Sequence, residues 1–240
     1  MTVSKSIPGT APGQRQLNGL KAALAAMGLG LIGTLGSIAR ADDLAAIAKM
    51  MGDPAEQQRV VSVAGHSTVV LQNPCPSAQY SVEKKFAPYQ PVTFDSTGKL
   101  VSGAWKQVVD EQGCGIKRVL NVLVWAQAAN GLSVMPLLPG TTHADVALQK
   151  DAVKYAFLAL ASVPGAREAN CQVGYVADTE FLQQEEATAP GGKGPAWREL
   201  WTLASCTQKT LVPVHFIPDA TGTSISVGPN SAIKVLPLTE

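Results

Sequence analysis

The stretch Leu100–Leu137, LVSGAWKQVVDEQGCGIKRVLNVLVWAQAANGLSVMPL, decides the fold class. Its short runs are rich in Val and Trp, and a turn-forming Ala-Asn-Gly interrupts them, which is the pattern of consecutive β-strands. Strands are therefore expected at about 100–110, 117–127 and 132–137. The same texture extends upstream to Ser67, with strands near 67–72, 79–86 and 91–95 separated by Asn-Pro and Asp-Ser-Thr-Gly. It resumes downstream near 172–182, 196–205, 208–217 and 223–227. Strands joined by connections this short pair antiparallel, because a parallel pair requires a long crossover.

Helical patterns frame these strands. Leu44, Ile47, Ala48 and Met51 fall on one helical face, and Gly52 ends the run. Asp53-Pro54-Ala55-Glu56 supplies an N-cap, a proline at the first helical position and an acid three residues past the cap. A second helix follows to about Ala64, stopped by Gly65, although Val60, Val61 and Val63 also suit a strand. The longest helix spans about His143–Ala161, with Thr142 and Asp145 as a capping-box-like start. Val146, Val153, Phe157 and Leu160 form its apolar face, and Pro164-Gly165 its end. The fold class is α+β: antiparallel sheet, in one or two layers, with a few helices packed on one side.

Ala104-Trp105-Lys106-Gln107 aligns with Ala196-Trp197-Arg198-Glu199 at a spacing of 92 positions, and the same spacing carries Cys114 onto Cys206, Lys117 onto Lys209 and Val122 onto Val214. This pattern predicts an internal duplication, with one α+β half at 42–140 and a second at 141–240 in a single compact domain. The four cysteines, Cys75, Cys114, Cys171 and Cys206, read as two disulfides, for which three connectivities exist. Equivalent halves favour Cys75 with Cys114 and Cys171 with Cys206.

The first 41 residues carry Lys5, Arg15, Lys21 and Arg40 and no acid, and Ala22–Ile38 is uncharged. Ala39-Arg40-Ala41 before Asp42 fits a signal-peptidase site, so a Sec-type signal is expected at 1–41 and a mature chain from Asp42. Four of the 19 basic residues lie in that segment, leaving 15 against 18 acidic ones. A mildly acidic chain without a basic stripe is not a nucleic-acid binder, and no later apolar run is long enough to span a bilayer. The expected location is the bacterial periplasm or the exterior.

Motifs for chemistry are sparse. His66, His143 and His215 lack metal-ligand spacing, and the cysteines lack C-x-x-C, so no metal and no cofactor is expected. Ser67 beside His66, and Asp145 near His143, permit a serine-histidine-acid set on paper without any nucleophile elbow. Gly191-Gly192-Lys193-Gly194 lacks the hydroxyl residue and helix of a phosphate loop. Glu185 and Glu186 read as a solvated acidic face. Asp178 and Glu180 share a strand face as a possible carboxylate pair, but only 13 of 240 residues are aromatic, too few for a typical sugar cleft. Trp197 and Trp201, four apart, share one strand face, either as a binding platform or as core. The expected role is a non-catalytic envelope protein that binds an unknown envelope protein or wall component. A secreted hydrolase with a site assembled from distant residues is the alternative, and a secreted inhibitor or effector the third.

Overall fold

A computed structural model describes residues 41–85, 87–127, 131–166, 170–185 and 194–238, the side chains of 41–44 and 127 excepted. Its longest hairpin joins β3 (Leu100–Gly113) to β4 (Ile116–Gln127). Alternation decides which side faces inward: Trp105, Gln107, Val109 and Glu111 of β3, and Leu120, Val122 and Val124 of β4, are buried. β1 (Gln79–Val82) and β2 (Ala87–Phe94) share the far edge of β3, and β5 (Gly131–Pro136) lines β4. A second five-stranded sheet holds β6 (Tyr175–Gln184), β7 (Trp197–Ala204) and β8 (Gln208–Pro218) in that order. β9 (Thr223–Val227) and β10 (Lys234–Pro237) share the outer edge of β8. Every pairing is antiparallel, as expected, and β10 is the one strand the sequence did not announce.

The two central hairpins present corresponding inward positions. Gln107, Val109 and Glu111 match Glu199, Trp201 and Leu203, while Leu120, Val122 and Val124 match Val212, Val214 and Phe216; all twelve are buried. Each sheet is stapled by its own disulfide, Cys75–Cys114 and Cys171–Cys206, closing separations of 39 and 35 residues with 5.8 Å between the Cα atoms in both.

α1 (Ala41–Met51) leads into α2 (Pro54–Gly65), whose N-cap Asp53 accepts bonds from the amides of Ala55 and Glu56. Val60 and Ala64 of α2 pack on the first sheet. The strand expected at 67–72 is instead a short helix, α3 (Thr68–Gln72). Arg118 on β4 explains the difference: its guanidinium donates to the carbonyls of Val69 and Asn73, both at 2.8 Å, and pairs with buried Glu111 at 2.8 Å. A cation at the carbonyl end holds the helix against the β-preference of Val69 and Val70.

α4 (Val146–Ser162) begins later than expected, because Asp145 is itself the N-cap, accepting from the Leu148 amide at 2.9 Å. His143 therefore precedes the helix rather than lying in its first turn. The helix meets the second sheet through Ala152 and Ala156, both fully buried, while Val153 and Phe157 pack at the flank and remain half-buried. Small side chains let the helix axis approach the strands closely.

Between the sheets runs the segment 137–142. The amides of Leu137 and Gly140 donate to the carbonyls of Asn121 and Val119 on β4, and the Thr141 amide donates to the Thr179 carbonyl on β6. Gly140 has φ +93°, and a Cβ there would collide with the Thr179 carbonyl and the Asp178 carboxylate, so only glycine fits. No helix among the described residues is long and apolar enough to cross a membrane.

Candidate functional site

In Trp197-Arg198-Glu199-Leu200-Trp201 the two-residue strand period turns Trp197, Glu199 and Trp201 to one side. Glu199 has no exposed surface. Its Oε1 accepts from Trp197 Nε1 and from the His143 amide, and its Oε2 from Trp201 Nε1, each at 2.8 Å. Phe216 on β8 stacks on Trp197, with centroids 4.8 Å apart, and lies tilted to Trp201. A buried carboxylate is tolerated when donors surround it, and here two indoles and a backbone amide do so.

Other titratable groups gather near this carboxylate. Lys106 Nζ donates to the Thr142 carbonyl at 3.2 Å; burial holds its ammonium below the usual lysine range, against the pull of Glu199. The His143 ring stacks on Phe181 at 3.9 Å, and partial burial, with Lys106 adding to it, lowers its pKa although Glu199 opposes. Burial and the Asp145 carboxylate push the Tyr89 phenol up to about 12. The Glu199 carboxylate itself is closed to solvent, both oxygens being occupied by donors from the chain.

Comparison with family models, characterised proteins and solved structures yields no match for this chain.

Of the tryptophan pair, Trp201 is fully buried in the core and only Trp197 reaches the surface, lining a shallow hollow of about 240 Å³ with His143, Gln184, Pro195 and Pro218. His66 directs Nδ1 to the Ser62 carbonyl at 2.6 Å, while buried Ser67 has no partner for its Oγ, so the two do not form a nucleophile-base pair. His215 lies 3.2 Å from Glu185, which also holds Arg198 at 2.5 Å on the outer side of the second sheet. Burial, with Glu180 adding to it, raises the Asp178 carboxyl despite the Thr179 amide. Gly191, Gly192, Lys193 and Glu186 lie outside the described residues, as does Ala39; Ala41 and Asp42 open α1. Among the described residues no three His, Cys, Asp or Glu side chains converge as a metal site.

Two larger hollows among the described residues lie elsewhere, on either side of Phe157. One hollow, of about 460 Å³, is walled by α3, the chain from Met135 to Pro139, α4 and the start of β6. Leu137, Leu138, Val146, Val153 and Val176 dominate it, with Ser67, Thr68, Gln149 and Lys150 as polar members. The other, of about 440 Å³, lies between the end of α4 and β7, with Leu160, Val173 and Leu203 beside the Cys171 end of the second disulfide. Phe157 belongs to both, and its ring lies close to Gly174, where a Cβ would come within 3.0 Å of it. Buried Gln149 is satisfied within the chain, accepting from the Leu138 amide and donating to the Ala144 carbonyl. Sequence reasoning missed this groove, because its walls come from four separated segments. Glu199 was within reach, since the period that pairs Trp197 with Trp201 also places the acid between them.

Proposed function

We propose that this chain is an exported, non-catalytic binding protein of an oxidising compartment, two diverged copies of one α+β unit in which the groove beside α4 receives the ligand. The observation that carries the reading is the separation of chemistry from concavity. The Glu199 carboxylate is taken up by three donors of the chain and the Lys106 ammonium by the Thr142 carbonyl, whereas the two hollows beside Phe157 are predominantly apolar and contain, among the described residues, Lys150 as their one charged side chain. An apolar hollow with a few polar groups is the usual form of a small-molecule site. The disulfides and the charge pattern of residues 1–41 support export. The corresponding hairpins support duplication.

The test sets turnover against binding. Purified protein is incubated with ester, peptide and glycoside substrates, and separately titrated with an environment-sensitive apolar fluorophore. Saturable fluorophore binding without turnover is expected. Turnover that disappears in Glu199→Gln, with the fold retained by circular dichroism, would replace this reading with the hydrolase.

A further inference from the structure

The hollow between α3 and α4 differs from its neighbour in one respect that bears on its ligand. Lys150 lies on its wall, is exposed to solvent, and makes no ion pair among the described residues. Inside, Ser67 is 4% exposed and its Oγ has no hydrogen-bond partner in the chain, an unusual state for a buried hydroxyl. The remaining lining is predominantly apolar, and Phe157, packed near Gly174, closes it off from the second hollow of about 440 Å³. A volume of about 460 Å³ falls within the range of small-molecule sites, roughly 300–1,000 Å³. A protein partner would instead need a broad surface, about 800 Å² on each side.

Resting on the binding reading above, we infer that this hollow takes a free single-chain amphiphile with an anionic head, its carboxylate at Lys150 and its hydrocarbon chain along Leu138, Val146, Val153 and Val176 toward Phe157. The lone unpaired cation at an apolar mouth selects one negative charge. The apolar side chains between Lys150 and Phe157 give a hydrocarbon chain a place to lie. Each methylene buried should tighten binding about fourfold until the hollow is filled.

The test uses 11-(dansylamino)undecanoic acid and its methyl ester, titrated by fluorescence against the purified oxidised protein. Saturable binding of the acid at one site is expected, with unlabelled fatty acids of increasing length competing with increasing strength. Lys150→Glu, an exposed change that leaves the fold intact, should weaken the acid at least tenfold and leave the ester within twofold. Val153→Trp, which fills the hollow, should abolish both. Equal effects of Lys150→Glu on acid and ester would overturn the proposal. So would unchanged binding in Val153→Trp, sedimentation with phosphatidylglycerol vesicles without uptake of the monomeric acid, or a dimer that Val153→Trp dissociates. Failure here without substrate turnover leaves the binding reading standing, whereas turnover removes that reading itself.

Discussion

Glu199 ties the segment before α4 to β7, because one carboxylate receives the His143 amide and two indoles from β7. Glu199→Gln places an amide NH2 against one of those donors and leaves it unpaired, so a loss of about 1–3 kcal/mol is expected in urea unfolding followed by tryptophan fluorescence. Glu199→Leu strands all three donors and should lose more. Tyr89 offers a different readout. Its phenol ionises near 10 in the unfolded chain and about 12 in the fold, so the folded state keeps its proton longer. That stabilisation is fully present below pH 10 and is lost as pH rises toward 12. Tyr89→Phe should flatten the alkaline fall of stability, and absorbance at 295 nm should show one tyrosine titrating near 12 in the native protein. Little of this residue-level detail was legible in advance: the strand period exposes the Trp197, Glu199, Trp201 face, but nothing local links it to His143, 56 positions earlier.

At the scale of elements, the central hairpins were the most readable parts, since Leu100–Gly113 and Ile116–Gln127 alternate in burial with the period that their composition announces. α3 was misread because three of its five residues, Thr68, Val69 and Val70, carry β-branched side chains, and the Arg118 contact that favours helix comes from 49 positions away. α4 was anticipated apart from its start, which lies at Val146 rather than His143, but its buried face was not. Apolar size pointed to Val153 and Phe157, whereas close approach to the sheet selected Ala152 and Ala156. Ala156→Leu is therefore expected to destabilise by about 1–3 kcal/mol through overpacking, while Lys150→Ala should change stability by under about 0.5 kcal/mol. Equal small effects in thermal unfolding would show that α4 does not rest on its alanines.

Across the whole molecule the two disulfides and the segment 137–142 do different jobs, the former bracing each sheet separately and the latter hydrogen-bonding to both. Closing a separation of 35 residues limits the unfolded chain, so replacing Cys171 and Cys206 together by Ala should lower stability by up to roughly 4 kcal/mol in the chain-entropy model. Denaturation of the oxidised variant in urea measures the loss. The pairing was legible from the equivalent positions of Cys114 and Cys206, but the groove was not, because a concavity built from residues 67 to 69, 135 to 139, 146 to 157 and 174 to 176 has no local signature. That groove is also where the functional account stands or falls. The most direct measurement is a methyl-resolved NMR titration of the protein with 11-(dansylamino)undecanoic acid. Saturable shifts confined to Leu137, Leu138, Val146, Val153 and Val176 are expected, while methyls on the far side of the second sheet stay still. Unmoved groove methyls at saturating probe, or shifts centred instead on the residues around Trp197 and Glu199, would contradict it.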